Sequence, residues 1–181
     1  MSIIYKIYYL APKYSIMKQI STLALMMLFA FTGAFAKDRV SKHSTVKGDI
    51  VSVTYGQPSK NGREIFGGLV PFGQVWRTGA DEATEITFTK GCMFAGRQVN
   101  PGTYTLFTIP GKDEWTIILN SELGQWGSFK YDEVKNKNVL NGTVAVGHLD
   151  KSVETFTIEV VKDGILMSWD KTSVFVEVKP W

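Results

Sequence analysis

Two runs, residues 103–109 (TYTLFTI) and 115–119 (WTIIL), face each other across Pro110, Gly111, Lys112 and Asp113, and this hairpin limits the chain's options more than any other segment. β-branched and aromatic residues dominate both arms, and each arm carries bulky side chains on both of its faces. A strand buries both faces only in the interior of a sheet that is covered on each side. The hairpin is therefore predicted at the centre of a sheet, with material packed above and below it.

The neighbouring segments repeat the strand texture. Residues 49–55 (DIVSVTY), with Ile50, Val51 and Val53, are predicted as the first strand after the leader, and residues 56–62 are turn material with Pro58, Asn61 and Gly62. Residues 85–88 alternate, with Ile86 and Phe88 directed at the core, and residues 93–99 are broken by Ala95 and Gly96 into a tight hairpin. Residues 139–146, 154–161, 165–169 and 172–178 complete the set, with Asp163–Gly164 and Asp170–Lys171 as turns between the last three. Residues 123–131 (LGQWGSFKY) hold two glycines and three aromatics without a period and read as a loop or short bent strand. About nine or ten short strands, with no helical period after the leader, predict an all-β, antiparallel β-sandwich; a closed β-barrel is the alternative. No repeat, linker or low-complexity tract divides residues 37–181, which are expected to form a single domain.

The first 36 residues have another texture: Lys18, an apolar run over residues 23–31, then Ala34-Phe35-Ala36. This is the layered pattern of a cleavable signal peptide, with cleavage expected after Ala36 and the mature protein in the periplasm or outside the cell. The apolar run is shorter than the roughly 20 residues a spanning helix needs, so no integral span is expected after cleavage. Met17 directly precedes Lys18 and is a second candidate start. The leader also explains the calculated basic character. The whole chain has 20 Lys and Arg against 17 Asp and Glu, and Lys6, Lys13 and Lys18 lie in the leader, which has no acid. The remainder is balanced, which removes the electrostatic argument for a nucleic-acid partner.

Few residues offer chemistry on their own. Cys92 is the single cysteine, so no internal disulfide forms, and its setting in Gly91-Cys92-Met93-Phe94 reads as a small core hydrophobe. His43 and His148 are far apart in sequence, and neither belongs to a metal-binding spacing. No serine sits in G-x-S-x-G, no calcium loop is present, and no glycine-rich phosphate cradle leads from a strand into a helix. No catalytic residue, metal or cofactor is assigned. Asn141-Gly142-Thr143 is read as a turn.

One stretch, residues 67–88 (GGLVPFGQVWRTGADEATEITF), combines special backbone residues with rare side chains. Arginine is scarce, four against sixteen lysines, and Arg77 beside Trp76 offers a guanidinium fork next to an aromatic face, which suits a carboxylate, phosphate or sugar. The plainer reading buries Trp76 in the core and pairs Arg77 with Asp81, Glu82 or Glu85 to hold a bend. A second cluster, Trp126, Phe129 and Tyr131, either forms a stacking surface for a sugar ring or plugs the end of the fold. The candidate ligand-binding set is Trp76, Arg77, Glu82, Trp126 and Tyr131. Glu82 with Asp113, Glu114, Asp132 or Glu133 is the carboxylate pairing a glycosidase would need, although these acids sit in turn contexts where solvated charge is the ordinary explanation.

In order, GGLVPFGQVWRTGADEATEITF, AGRQVNPGTYTLFTIPGKDEWTIILN, LGQWGSFKYDE and the span from ETFTIEV to SWDKTSVFVEV resemble the bacterial secreted family called Domain of Unknown Function family 2911, from about Val46 to the C-terminus. The resemblance implies an exported, largely β protein of Gram-negative bacteria with no established activity. Three readings follow. The preferred one is a non-catalytic binding module for a small polar or carbohydrate ligand in the cell envelope. The alternatives are an envelope- or polysaccharide-directed hydrolase using paired carboxylates, and a structural or interaction protein recruiting its partner through a sheet edge or apolar patch. Oligomeric state is not legible.

Overall fold

The computed structural model describes residues 41–181; the leader and its cleavage site lie outside the described residues. Nine strands run antiparallel in a single sheet that is not closed into a barrel: β1 (Lys42–Lys47), β2 (Val51–Gln57), β3 (Glu85–Phe88), β4 (Cys92–Phe94), β5 (Arg97–Val99), β6 (Gly102–Ile109), β7 (Glu114–Asn120), β8 (Asn138–Val161) and β9 (Gly164–Pro180). One short helix, α1 (Tyr131–Val134), and a 3-10 turn (Lys135–Lys137) precede β8. No helix among the described residues is long and apolar enough to cross a membrane.

The order across the sheet is β1-β2-β3-β6-β7-β8-β9-β4-β5, which places the β6–β7 hairpin in the middle, as its two-faced apolar pattern requires. Trp115, Ile117 and Leu119 on one face of β7 enter the main core, and Ile118 on the other joins Phe107 and Ala83 in a second apolar cluster. The main core also takes Val51, Val53 and Tyr55 from β2, Ile86 and Phe88 from β3, and Phe156, Ile158, Met167 and Trp169 from β8 and β9. Cys92 is buried there, and burial pushes its thiol above the ordinary range.

The last four predicted strands are two. β8 pairs with β7 through its first part and with β9 beyond, with register shifts between His148 and Thr157. Asp170, expected at a turn, lies inside β9 with φ 52°. A residue in the left-handed region lets a strand bend without ending, and Asp tolerates that conformation better than most. Asn141-Gly142-Thr143 likewise lies within β8, and β1 precedes the first predicted strand. β1 escapes the pattern because its outward positions are polar and it forms an edge.

These bends fold the sheet back on itself, bringing the far half of β8 beside the end of β2 without a continuous ladder. Phe156 N donates to Pro58 O at 2.9 Å and Lys60 N to Glu154 O at 2.7 Å. The Tyr55 hydroxyl continues the seam: it accepts from Ile158 N at 2.8 Å and donates to Ile158 O at 3.3 Å. A side chain there does the work of a missing strand.

Candidate functional site

The stretch singled out in the sequence is an interruption of the sheet beside β6. Residues that precede β3 in the chain pair with the far end of β6: Trp76 N donates to Thr108 O at 2.7 Å and Thr108 N to Trp76 O at 3.0 Å, and Gly73 N reaches Pro110 O at 2.9 Å. Between Trp76 and Thr84 the chain leaves the sheet as a loop, closed at its base by Thr84 N donating to Arg77 O at 3.0 Å.

Thr78 and Asp81 hold this loop in the left-handed region, at φ 57° and 62°. For a β-branched residue that conformation is strained and persists only where the surroundings over-determine it. Here Thr78 Oγ1 donates to Thr108 Oγ1 at 3.1 Å, Thr84 Oγ1 donates to Thr78 O at 2.7 Å, and Ala80 N donates to Gly56 O at 3.2 Å. Gly56 is needed on β2, because a Cβ there would overlap the carbonyl of Ala80.

A second loop, residues 123–129, is fastened to the first. Ala83 N donates to Gln125 O at 2.8 Å, Gly127 N to Asp81 O at 3.1 Å, and Ser128 Oγ to Val75 O at 3.0 Å, with Glu82 and Trp126 paired as a β-bridge. Two large rings are left in solvent on a backbone that is held in place: Trp126 is 60% exposed and Phe129 79%. Gly127, at φ 68°, lies between them; a Cβ at that position would come within 3.0 Å of Arg77 Nη1 and 2.8 Å of the Phe129 ring, so the guanidinium and that ring converge on the glycine.

The predicted residues divide accordingly. Arg77, Glu82 and Trp126 belong to the two fastened loops. Trp76 is buried in the main core, stacked on Trp169 with ring centroids 5.9 Å apart and an interplanar angle of 16°. Arg77 does not share a face with Trp76, because consecutive residues of an extended segment point to opposite sides and Trp76 points inward; the ring that flanks Gly127 together with Arg77 is Phe129. Tyr131 packs edge-on against Phe107 at 5.2 Å in the second apolar cluster, and its hydroxyl accepts from Asn138 Nδ2 at 2.7 Å.

The acids expected to pair with Arg77 are engaged elsewhere. Asp81 accepts from Ser41 N at 2.6 Å, Glu82 from His43 Nε2 at 2.8 Å, and Glu85 from Gly124 N at 3.1 Å. The Arg77 Nε donates to Gly79 O at 3.3 Å, and among the described residues no carboxylate is in ion-pair range of this guanidinium. Glu82, Glu85, His43, Tyr55 and Gly124 line a groove of about 430 Å³ next to the loops. In the sequence His43 reads only as a lone histidine and Glu85 only as one of three candidate partners of Arg77, and neither is in the candidate ligand-binding set: His43 sits on the unpredicted β1, and Glu85 is one polar position of an alternating strand. Asp113, Glu114, Asp132 and Glu133 are exposed and line no part of this groove. Among the described residues no group of three or more His, Cys, Asp or Glu side chains is placed to hold a metal ion.

Fold and site together define an all-β protein with an open, folded-over antiparallel sheet and a fastened pair of loops presenting aromatic rings beside an arginine. The chain belongs to the family described as "Protein of unknown function (DUF2911)", which its residues 37–178 match. No curated protein and no solved structure matches it.

Proposed function

We propose that the protein is an exported, non-catalytic binding module of the cell envelope that takes a small polar or carbohydrate ligand on the surface formed by Arg77, Glu82, Trp126 and Phe129. The observation that carries this reading is the exposure of Trp126 and Phe129 on a backbone fixed by hydrogen bonds to a strained neighbouring loop. Exposed rings on a fixed backbone stack on a sugar face with little ordering cost, and the Arg77 fork beside them supplies directional donors. Trp76 and Tyr131 support the loops from below.

Glycan-array screening followed by calorimetry on the best hit tests the reading. Trp126→Ala and Phe129→Ala are expected to abolish binding while leaving the melting temperature within about 1–2 °C, because neither ring is buried. Binding that survives both substitutions refutes it. Export is tested separately by sequencing the N-terminus of the protein from the periplasmic fraction. The expected first residue is Lys37, and an unprocessed chain confined to the cytoplasm refutes export.

A hydrolytic reading has one observation in its favour, the two carboxylates of Glu82 and Glu85 on a single groove. Each has a hydrogen-bond partner, and hydrolysis would require at least one of them to exchange that partner for substrate or water. Glycan cleavage that disappears in both Glu82→Gln and Glu85→Gln would establish it over simple binding. A partner recruited by strand addition has less to grip: edge strand β1 carries Lys42 and Lys47, and edge strand β5 is three residues long and begins with Arg97.

A further inference from the structure

The groove of about 430 Å³ beside the fastened loops has a charge pattern that narrows the class of ligand. Its ionisable lining residues are Glu82, Glu85 and His43, with no lysine or arginine, and the rest of the wall, from Thr54 to Gly56 with Ala83 and Gly124, is uncharged. Each carboxylate is held in place through one oxygen. Glu82 Oε2 accepts from His43 Nε2 at 2.8 Å, and Glu85 Oε1 accepts from Gly124 N at 3.1 Å. Among the described residues Glu82 Oε1 and Glu85 Oε2 take no hydrogen bond, and no lysine or arginine is in ion-pair range of either side chain. The two carboxylates therefore set the sign of the groove, and His43 offsets at most one of them.

An exposed ring stands on the same side. Glu82 and Trp126 are opposed partners of an antiparallel bridge, and such partners project their side chains to one face of the ribbon. Trp126, 60% exposed, is thus carried on the face that carries Glu82. The Arg77 guanidinium lies at Gly127 and does not line the groove. An indole face attracts a cation through its ring quadrupole, and two carboxylates attract it through charge. A neutral sugar would leave the carboxylates unmatched, and an acidic sugar would be repelled.

We infer that the ligand of this surface is an amino sugar, whose protonated amine enters the groove between Glu82 and Glu85 while its ring lies on Trp126. This rests on the binding reading proposed above and names the ligand class for it.

Three tetrasaccharides with one β-1,4 backbone test the inference, since they differ only in the group at C2: the tetramer of glucosamine, the tetramer of N-acetylglucosamine, and cellotetraose. Calorimetry on the purified chain, where the amines are protonated, is expected to show the glucosamine tetramer binding about tenfold or more tightly than the other two. Cadaverine, a diamine without a ring, is expected to bind at least about tenfold more weakly than the glucosamine tetramer. Glu82→Gln with Glu85→Gln should erase the preference for the amine, and Glu85→Gln alone should reduce it; the glutamine side-chain oxygen can still accept from Gly124 N, so the loop contact survives. Trp126→Ala should weaken binding of the glucosamine tetramer. Asp132→Asn with Glu133→Gln, two exposed acids outside the groove, should leave every affinity unchanged. The inference is overturned if the three sugars bind equally, if none binds, if cadaverine matches the glucosamine tetramer, if the glutamine variants keep the preference, or if the Asp132 and Glu133 changes weaken binding as much as those in the groove. Equal binding of all three sugars that is lost in Trp126→Ala removes the amine and leaves the binding surface standing, whereas tight binding of the glucosamine tetramer that ignores Trp126→Ala removes both.

Discussion

Tyr55→Phe removes one oxygen from the seam between β2 and β8 and should cost far more than an ordinary conservative change. The ring remains, and with it the edge-on contact to Phe156 at 5.7 Å. The loss is the hydroxyl that accepts from Ile158 N at 2.8 Å and donates to Ile158 O at 3.3 Å, both in a fully buried setting. On this side β8 has no neighbouring strand, so the Ile158 amide is left without an acceptor. An orphaned buried donor costs about 1–3 kcal/mol, and the longer bond to the carbonyl adds a fraction of that, for a total of about 2–3 kcal/mol. An unfolding entropy of about 2.1 cal/mol/K per residue over about 140 residues converts this to a fall in melting temperature of about 7–10 °C. Calorimetry measures the shift, and amide exchange at Ile158 should accelerate more than at Ile117 in the middle of β7. A fall of less than about 2 °C would refute the idea that a side chain replaces a strand at this seam.

Other perturbations probe other parts of the same account. Gly56→Ala should destabilise by about 3 kcal/mol or more, since its methyl overlaps the Ala80 carbonyl and the strained loop cannot retreat without losing its bonds; an unchanged urea midpoint would refute this. The Cys92 thiol, buried and held above its ordinary range, should react with a disulfide reagent only as fast as the protein opens, and stoichiometric labelling of the native state within seconds would contradict its placement. Asp170 is held below its ordinary carboxylate range by the hydrogen bonds from Lys60 and Ser152, so its contribution is present above the unfolded value near 3.9 and lost as pH falls through the folded value. Asp170→Asn should therefore flatten the acid limb of the stability curve by an amount within about 1 kcal/mol, and an acid limb identical to the parent's would count against the pairing.

The parts of the fold legible in the sequence are those where one local signal decides the outcome. The β6–β7 hairpin shows its central position through two-faced burial, and the β4–β5 hairpin through Ala95-Gly96, which take φ values of 47° and 73° in the turn. Asp170-Lys171 was misleading for a physical reason: residues that favour a turn also favour a bend within a strand, and the choice depends on whether a neighbouring strand continues alongside. β8 does continue beside β9, and Lys60, distant in sequence, ties down the Asp170 side chain. The aromatic loop shows the same limit. Trp126, Phe129 and Tyr131 look alike in sequence, and the partial burial of Tyr131 depends on Phe107 and Asn138, which no local pattern connects to it. The opposite orientations of Trp76 and Arg77 were within reach, since adjacent residues of an extended segment cannot share a face.

The strain at Thr78 and Asp81 and the exposure of Trp126 and Phe129 are linked through shared bonds. The bond from Gly127 N to Asp81 O ties down the aromatic loop, and Asp81 presents that carbonyl in its left-handed conformation while Ser41 N reaches its carboxylate. The free energy that holds these residues strained comes from buried threonine hydrogen bonds beneath them, at Thr78, Thr84 and Thr108. Buried threonines of the β core thus help to hold the backbone that carries two solvent-facing rings. Stability alone does not call for such an arrangement, because an unstrained loop with polar side chains would close the same gap in the sheet at lower cost. On the proposed reading these rings would meet a ligand from a fixed backbone, and the buried threonines beneath the loop would serve that surface as supports.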